Sequence, residues 1–600
     1  MHHHFLFIPH SPAPQPEFLP VTREEMDKLG WSEPDILLVS GDAYVDHPAC
    51  GPALLGRLLV AHGFRVALVT QPAWTDSKDI SALGRPRLFA GITAGSMDSM
   101  LAHYTAFRKK RRDDAFTPGG QAGARPNRAS IVYANLLRQA FPGLPVILGG
   151  IEASLRRISH YDFWSDSLRR SLLLDAKADL LVYGMGEAPL LALAYLALEM
   201  SLAGRKVTGP ALTGSALAGA AAAVPGLARV ISPVEAEKYK TEAIILPSHE
   251  AIAADPPLLL SATLDLERQT HQGGKFAIQA AGNREVLLHP PAPGLSCAEM
   301  DFMYGLPFTR QSHPAYGTSV PAAEMLRASI TTHRGCGGGC AFCSLALHQG
   351  RAISPRGRES ILAEVGRLAK MLSSRRKRGQ GVAISDVGGP TGNMWASRCL
   401  TSASSCARES CLFPTPCPHF YPGQAESIAL LREVAAMPGI AQVRLASGLR
   451  YDLGLAEPEA LRAYVREFTG GQMKVAPEHV SKDVLRLMRK PGPTVLERFL
   501  DLFRAASLKE QYVIPYLMSA YPGCTDAHMR ELAAWLKARG WRPQQVQCFI
   551  PTPGTVATAM FYCGQDAQGR VIPVARTDAE RLRQHAMLVG ESVPPGEREP

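Results

Sequence analysis

The segment His333-Arg334-Gly335-Cys336-Gly337-Gly338-Gly339-Cys340-Ala341-Phe342-Cys343 decides how this chain is interpreted. Its cysteines follow a Cys-x3-Cys-x2-Cys pattern on a glycine-rich stretch. Three thiolates can hold three irons of a cubane iron–sulfur cluster, and the fourth iron then stays free to bind another molecule. Glycines let the backbone turn tightly around such a cluster and point amide N–H groups at its sulfides. The segment therefore predicts a [4Fe-4S] cluster on Cys336, Cys340 and Cys343.

Two other interpretations of these thiols stay open. A zinc site normally needs a fourth Cys or His at short spacing, and His348 lies five residues past Cys343 without a second knuckle. Buried, inert thiols are the other alternative. The set of three ligands, rather than four, favours the cluster.

The cysteine pattern, with an aromatic residue before its last member, resembles that of the radical S-adenosylmethionine (radical SAM) superfamily. Further segments resemble those of YgiQ-like radical SAM proteins, over roughly residues 18 to 575. They are GDAYVDHP (41–48), GGIEASLRR (149–157), HYDFWSD (160–166), DVGGPTGNMW (386–395), SGLRYD (447–452), KVAPEH (474–479) and PTPGT (551–555). The resemblance implies an enzyme that cleaves S-adenosylmethionine reductively to a 5′-deoxyadenosyl radical, and it supplies no substrate.

The resemblance also implies where S-adenosylmethionine meets the protein. In the superfamily, a Gly-Gly-Glu stretch after the second barrel strand contacts the amino group of S-adenosylmethionine. The stretch here is Gly388-Gly389-Pro390, so proline replaces the glutamate and only the two glycines carry over. A simple turn from strand to loop is the alternative for Gly388 and Gly389.

Five more side chains are candidates for this site. Ser447 and Arg450 follow the third strand of the barrel, where they could meet the carboxylate or ribose of S-adenosylmethionine. Lys474 and Glu478 lie around the fourth strand and are candidates for the same groups. Phe342 is expected near the adenine or over the cluster. Structural polar pairs, and plain packing for Phe342, are the alternatives.

The first third of the chain has the pattern of an open parallel sheet. Its apolar runs alternate with helical stretches, which predicts a Rossmann-like, doubly wound α/β domain over residues 35–200. The runs are DILLVS (35–40), RVALVT (65–70), RLFAG (87–91), PVILGG (145–150) and DLLVYG (179–184).

Many radical SAM proteins carry a cobalamin-binding domain of this type at the N-terminus. Their Asp-x-His-x-x-Gly signature would let a histidine bind cobalt. In Asp46-His47-Pro48-Ala49-Cys50-Gly51 the histidine comes one residue too early. Cobalamin bound through this motif is therefore not expected, whereas binding without a histidine ligand stays open.

A second regular pattern begins near residue 327. Six strand-like segments alternate with helices, which predicts a partial (β/α)6 barrel over residues 321–575. The segments are 328–334, 381–387, 441–447, 471–477, 511–519 and 546–551. Functional loops of such barrels follow the carboxyl ends of the strands. The three cysteines follow the first strand, where a barrel active site belongs.

A second cysteine group lies in a predicted insertion at about residues 395–420. Cys399, Cys406, Cys411 and Cys417 fall within nineteen residues. Their spacings match no standard zinc knuckle, but four thiolates suffice for zinc or an auxiliary iron–sulfur cluster. Reduced structural cysteines are the alternative.

The remaining segments are expected to be peripheral. Residues 1–34 are interpreted as an N-terminal extension. Residues 201–320 begin with an Ala-, Gly- and Leu-rich stretch and are interpreted as a linker and connecting region. Residues 576–600 are polar and are expected to be a frayed tail after a short helix.

Composition narrows the setting. The chain has 600 residues, which predicts two to four domains. Twelve cysteines without an export signal, and no apolar run of eighteen residues, predict a soluble cytoplasmic protein with reduced thiols and no membrane partner. The net charge of +10 permits a nucleic-acid partner but is modest for this length.

The expected partners are an unknown substrate and an electron donor such as flavodoxin or ferredoxin. One enzymatic alternative is a cobalamin-dependent methyltransferase. Another is an RNA-modifying methylthiotransferase, because PTPGT (551–555) resembles a stretch in such enzymes. A non-catalytic iron–sulfur redox scaffold is the alternative outside catalysis.

Overall fold

The computed structural model describes residues 7–206, 212–373, 381–508, 510–543 and 545–589. The chain has a mixed α/β fold and divides into two compact units. The first unit comprises Met1–Leu258 and Asp265–Arg327, and the second comprises Leu259–Leu264 and Ala328–Pro600. Among the described residues, no helix combines the length and the apolar character that crossing a bilayer requires.

The first unit is built on a nine-stranded sheet. The strands of this unit are β1 Ile36–Ser40, β2 Val66–Thr70, β3 Phe89–Thr93, β4 Val146–Gly149, β5 His160–Asp162, β6 Ser167–Arg169, β7 Leu180–Val182, β8 Leu227–Ile231, β9 Ile244–Leu246, β10 Ala277–Ala281 and β11 Arg284–Leu288. The sheet order is β2-β1-β3-β4-β7-β8-β11-β10-β9, and β5 and β6 form a separate pair. The first five strands of that order are all parallel. All five apolar runs of the N-terminal pattern are therefore strands of one sheet.

Helices connect these strands. Their bounds are α1 Arg23–Lys28, α2 Gly51–Ala61, α3 Lys78–Ser81, α4 Ser99–His103, α5 Ala129–Ala140, α6 Gly150–Leu155, α7 Leu172–Asp175, α8 Glu187–Lys206, α9 Gly214–Ala220, α10 Pro233–Ala236, α11 His249–Ala254, α12 Pro257–Gln272, α13 Cys297–Gly305 and α14 Pro321–Leu326. In α2, Pro52 suits the first turn because the N–H that it lacks would have no helical partner there. Leu54, Leu58 and Leu59 of α2 are buried and give the helix its apolar face.

Two peripheral segments turn out to belong to the core of this unit. The interpretation of residues 201–320 as a linker and connecting region is wrong, because β8, β9, β10 and β11 extend the main sheet. The composition of the Ala- and Gly-rich stretch resembles a linker, but its apolar residues, such as Leu217 and Ala221, are fully buried. Leu19 and Met26 in the N-terminal extension are also fully buried.

His289 makes the first unit sensitive to acid. Its Nδ1 lies 2.7 Å from the carbonyl oxygen of Val224, and its Nε2 accepts from Nε of Arg229 at 3.3 Å. Burial, and then the charge of Arg229, lower the pKa of His289 to about 4. The neutral ring is therefore preferred in the folded state. The unfolded ring, with a pKa near 6.5, takes up a proton as the pH falls below that value.

We expect this histidine to cost about 2 kcal/mol of stability between pH 7 and pH 5. A His289→Gln variant keeps one donor and one acceptor but does not titrate. Its thermal midpoint should fall less than that of the wild type when the two are unfolded at pH 7 and pH 5. Equal falls would contradict the assignment, since every other buried histidine is common to both proteins.

The second unit contains all six strands of the predicted barrel, in several short sheets. Its strands are β12 Ser329–Thr331, β13 His333–Arg334, β14 Ser354–Pro355, β15 Val382–Ile384, β16 Asp386–Gly388, β17 Arg398–Cys399, β18 Phe420–Tyr421, β19 Ile440–Val443, β20 Gln472–Glu478, β21 Tyr512–Ser519 and β22 Gln545–Cys548. The second predicted strand is divided at Ser385 into β15 and β16. β12 pairs in parallel with β16, β15 with β19, β20 with β21, and β21 with β22. A parallel bridge between Leu449 and Val475 joins the third segment to the fourth.

The helices of this unit lie between the strands. Their bounds are α15 Leu345–His348, α16 Arg358–Ser373, α17 Gln424–Ala436, α18 Tyr451–Gly454, α19 Pro458–Ala463, α20 Lys482–Met488, α21 Pro493–Ala506, α22 Asp526–Ala538, α23 Val556–Cys563 and α24 Asp578–Val589. Ile361, Val365 and Leu368 of α16 are buried at helical spacing, as their periodicity predicts.

The expected frayed tail is wrong for residues 578–589. Helix α24 extends to Val589, and its Arg581, Gln584 and Leu588 are buried. Arg581 donates through Nη2 to the carbonyl oxygen of Phe549 at 2.5 Å, just past β22. Polar residues carry this packing, so an apolar pattern could not reveal it. Residues 590–600 lie outside the described part of the chain.

Candidate active site

Backbone geometry fixes the loop of the three cysteines. The loop leaves β13 at Gly335, whose φ is +86° and where an added Cβ would lie 1.9 Å from the carbonyl oxygen of Ala352. Only glycine fits this position. Cys336 N–H donates to the carbonyl of Gly350 at 3.1 Å, and Ala341 N–H donates to that of Met488 at 3.1 Å. The loop is therefore anchored on both sides of its glycines.

The three thiols are half-buried. Burial, and then the negative charge that Cys340 and Cys336 would carry if ionised, raise the pKa of Cys343 to about 12. Burial also raises the pKa of Cys336, against the opposing charge of Arg450. Without a metal these two thiols keep their protons at neutral pH. A bound metal would displace the protons and compensate the buried negative charge.

Arg450 contacts this group directly. Its Nη1 donates to Sγ of Cys340 at 3.4 Å, and its Nε donates to Asp452 at 2.9 Å. Burial opposes the charge of Arg450, but Asp452 and the Cys340 thiol outweigh burial and raise its pKa. Asn393, fully buried, fixes the backbone of Arg450 through a 2.9 Å bond from Arg450 N–H to its Oδ1. The candidate Arg450 is therefore a cation held at a cysteine sulfur.

Lys490 is a second buried cation that the sequence did not single out. Its Nζ donates to the carbonyl of Ala476 at 2.7 Å and lies 3.7 Å from Oε1 of Glu478. It also lies 5.8 Å from the centre of the Phe342 ring. Burial, opposed by Lys490, raises the pKa of Glu478. The candidate Glu478 therefore faces Lys490. In the sequence, the only signal for this pair was the segment KVAPEH (474–479), which contains Glu478.

Gly388 and Gly389 lie beside the beginning of the cysteine segment. The carbonyl of Gly388 accepts from Thr332 N–H at 2.7 Å, as part of the pairing of β12 with β16. An added Cβ on Gly389 would lie 2.6 Å from the His333 ring. Gly389 therefore lets the chain after β16 approach His333 closely, which agrees with a tight turn.

Ser447 is brought to the same place by Asp386, which the sequence reasoning missed. Asp386 accepts from the hydroxyl of Ser447 and, through Oδ1, from Ser447 N–H at 3.0 Å. Ser447 Oγ lies 3.5 Å from the Cβ position of Gly388. Asp386 lies two residues before Gly388, so its place in the segment DVGGPTGNMW was the available signal.

The last two candidates have different outcomes. Phe342 is half-buried and meets Tyr521 edge to face, with ring centres 6.2 Å apart. It thus has a packing role, on the same side as Lys490. Lys474 is exposed on β20, between the buried Met473 and Val475. Alternation along the strand turns its side chain away from the core, so the structure does not bring Lys474 to the other candidates.

The second cysteine group lies against the first. Cys411 N–H donates to the carbonyl of Gly337 at 2.9 Å, and the Ser410 hydroxyl donates to that of Gly338 at 2.6 Å. Cys336, Cys411 and Cys417 pack on one apolar cluster. Among the described residues, no three His, Cys, Asp or Glu side chains stand as close together as a single metal ion requires. This holds for both cysteine groups.

Asp46 and His47, from the near match to a cobalamin signature, make contacts within the first unit. Nε2 of His47 lies 3.1 Å from Nη1 of Arg310, and its Nδ1 accepts from Ala49 N–H at 3.1 Å. Asp46 is paired with Arg57 at 2.6 Å and both side chains are fully buried. Both nitrogens of His47 therefore have partners, and the arrangement does not fit a cobalt ligand.

The glycines of the cysteine loop offer a direct test of its shape. Gly339 has φ +57°, and an added Cβ would lie 2.4 Å from the carbonyl of Glu409. Gly350 has φ +84°, but among the described residues nothing lies within 4 Å of its Cβ position. Both alanine variants are strained, and only the first also collides with backbone.

We expect Gly339→Ala to lose most of its iron on anaerobic reconstitution, whereas Gly350→Ala retains it. Iron and sulfide analysis of the two purified variants, with circular dichroism to verify folding, measures this. Equal iron content would show that the close approach at Gly339 does not shape the loop.

Comparison with known proteins gives the family. The Radical SAM N-terminal family matches residues 18–329. A UPF0313 protein of Geobacter sulfurreducens is 48% identical over 580 residues, covering 95% of this chain and 92% of that protein. The UPF0313 protein YgiQ of Escherichia coli is 41% identical over 633 residues, covering 96% and 84%. The chain belongs to the UPF0313 family.

UPF0313 membership and the Radical SAM N-terminal match together confirm the resemblance that the motifs indicated, and with it a radical SAM enzyme. A solved structure of the radical S-adenosylmethionine methyltransferase TsrM from Kitasatospora setae, with cobalamin and a [4Fe-4S] cluster bound, is a distant likeness. It is 16% identical with a TM-score of 0.49, and the match covers 92% of the UPF0313 chain and 84% of that chain.

Proposed function

We propose that this chain binds a [4Fe-4S] cluster through Cys336, Cys340 and Cys343 and cleaves S-adenosylmethionine reductively. The observation that carries the proposal is the loop itself: three adjacent thiols on a glycine turn, beside a buried cation. Three ligands leave one iron open for S-adenosylmethionine. When bound, the cluster would supply the electron that breaks the S–C5′ bond, giving methionine and a 5′-deoxyadenosyl radical.

The residues present fit such a group. The three thiols are half-buried, so a group that they hold is partly shielded from water. An added Cβ on Gly338 would lie 2.7 Å from Nη1 of Arg450, so the loop carries no side chain where the cation approaches it.

His333 lies at the beginning of the cysteine segment, and one of its ring nitrogens has a feature that is typical of a ligand contact. It is fully buried, and its Nδ1 meets the Thr332 hydroxyl at 2.9 Å. Its Nε2 is buried, and no hydrogen-bond partner for it lies among the described residues. Burying an unsatisfied polar atom costs about 1–3 kcal/mol, so such atoms commonly face a bound group. Because Gly389 lies beside this ring, we assign Nε2 to S-adenosylmethionine.

We expect His333→Phe to weaken S-adenosylmethionine binding about tenfold while the iron content is unchanged, because one ligand hydrogen bond is lost. Equilibrium binding to the anaerobic, cluster-loaded protein measures the affinity. His348→Phe is the control, since His348 lies on α15, beyond the loop. An affinity unchanged by His333→Phe would refute this contact.

The folds of the two units support the same proposal. The chain adds β2 on one side of β1 and then adds β3, β4 and β7 on the other side, as in doubly wound sheets. We therefore propose that the first unit is Rossmann-like. In the second unit, parallel pairs follow the chain order from β12 to β22, which supports a partial (β/α)6 barrel. The cysteines follow its first strand, at the end where barrel active sites lie.

The partners remain proposals of the same kind. An electron donor such as flavodoxin or ferredoxin would reduce the cluster, in a cytoplasmic setting that keeps thiols reduced. The net charge of +10 would favour an acidic donor. Cobalt ligation by His47 is not favoured, because both of its ring nitrogens have partners within the first unit, whereas cobalamin bound without a histidine ligand stays an alternative.

Electron paramagnetic resonance tests the open iron. The anaerobic, reduced protein should show a cluster signal that changes when S-adenosylmethionine is added. A reducible cluster whose signal is indifferent to saturating S-adenosylmethionine would contradict the proposal and favour the redox scaffold.

A further inference from the structure

The insertion that carries the second cysteine group has little regular structure. Between β17 and β18 the structure has one short 3-10 turn, Ala403–Ser405, and most side chains are exposed. Ser410 and Leu412 are buried in it. So small a buried surface contributes little to ordering a loop of this length. Hydrogen bonds such as those from Arg408 to the carbonyl oxygens of Phe413 and Thr415 contribute more, and a bound metal would add to them.

Local hydrogen bonds already draw three of the four cysteines together. Cys399 pairs with Phe420 across the short β17–β18 ladder. Cys417 N–H donates to the carbonyl of Cys411 at 2.8 Å, and Phe420 N–H donates to that of Cys417 at 2.9 Å. Cys411 and Cys417 also pack on one apolar cluster with Phe420. The fold thus brings together segments that carry three of the four cysteines, which are separated by up to eighteen positions in sequence, and Cys406 lies in the same insertion.

We propose that Cys399, Cys406, Cys411 and Cys417 hold a second metal centre through four thiolates. The shared ligand chemistry admits one zinc ion or one iron–sulfur cluster. Four protein ligands leave no open position, so the centre is structural rather than catalytic. No three described ligands stand at single-ion spacing, and metal binding therefore moves the exposed Cys399 and its neighbours inward.

The position of this centre gives it a task. The insertion donates two hydrogen bonds to the carbonyls of Gly337 and Gly338, in the loop of the first three cysteines. A Cβ on Gly337 would lie 3.3 Å from the Cβ of Cys411. Glu409 adds an ion pair with Arg489 at 3.1 Å. A metal bound in the insertion therefore holds the backbone of the insertion against the loop of the first three cysteines.

Metal analysis of a variant without the first site tests the proposal. The Cys336→Ala/Cys340→Ala/Cys343→Ala protein, purified anaerobically, should keep about one zinc, or about four irons with four sulfides, per chain. Adding Cys411→Ser and Cys417→Ser should remove this metal. Adding Cys563→Ser instead should not, because Cys563 is half-buried on α23, outside the insertion. Zinc and iron with sulfide are the two supporting results, and each identifies its own centre.

A metal-free but folded triple variant would overturn the proposal. Anaerobic alkylation of the wild-type protein keeps the test open if the variants do not fold. The four cysteines should resist iodoacetamide until a chelator is added, and equal labelling with and without chelator would also overturn it. Because the first site is absent from the triple variant, failure here leaves the S-adenosylmethionine proposal unaffected, and the converse holds.

Discussion

Cys343→Ala abolishes iron–sulfur binding at the cysteine loop in our account, and Cys336→Ala and Cys340→Ala do the same. Two thiolates cannot hold three irons of a cubane, so no partial cluster with an open iron remains. Visible absorption and iron and sulfide analysis after anaerobic reconstitution measure the loss. We expect no detectable cluster at this loop and no cleavage of S-adenosylmethionine.

Cys563→Ala is the matched control for these variants. Cys563 is also half-buried and its pKa is raised by burial, but it is the last residue of α23 and its thiol donates to the carbonyl oxygen of Gln565 at 3.6 Å. It should keep the wild-type iron content. A Cys343→Ala protein with an intact, reducible cluster at this loop would refute the ligand assignment.

Arg450→Met is expected to lower the reduction potential of the cluster. A charged N–H donor stabilises electron-rich sulfur, and Nη1 of Arg450 lies 3.4 Å from Sγ of Cys340. Loss of about 1.4 kcal/mol of this stabilisation corresponds to roughly 60 mV for a one-electron couple. A redox titration followed by electron paramagnetic resonance measures the shift. We expect at least about tenfold slower cleavage of S-adenosylmethionine with a donor of fixed potential.

Two controls separate this effect from simple damage. Arg432→Met removes an exposed arginine that pairs with Glu467 at 2.8 Å, and it should change neither potential nor rate. Arg450→Met/Asp452→Leu removes the buried carboxylate that the single variant leaves without its arginine. The double variant should regain iron content and still show the lower potential. An unchanged potential in both Arg450 variants would contradict the role.

The sequence predicted the parts of this molecule that have strong local signals. Apolar runs that alternate with helical stretches predicted the strands of both units, and the spacing of Cys336, Cys340 and Cys343 singled out the loop. The sequence could not reveal Lys490 or Asp386, because their importance comes from contacts made in the folded chain. Nor could composition show that β8, preceded by an Ala-rich stretch, joins the main sheet.

The candidate list shows the same division. Arg450 and Ser447 were chosen by position after the third strand, and the fold places them at a cysteine sulfur and beside Gly388. Lys474 was chosen by similar reasoning, but alternation along β20 turns it outward. Position after a strand thus identifies the correct edge of a sheet, whereas the face depends on register.

The most direct test of the central claim is the product of S-adenosylmethionine cleavage. Anaerobic protein with a reconstituted cluster is incubated with dithionite and S-adenosylmethionine, and 5′-deoxyadenosine and methionine are measured by mass-resolved chromatography. Our account predicts both products in equal amounts from the wild type and neither from Cys343→Ala. An intact, reduced cluster that yields no 5′-deoxyadenosine, even with cell extract supplied as a source of substrate, would contradict it.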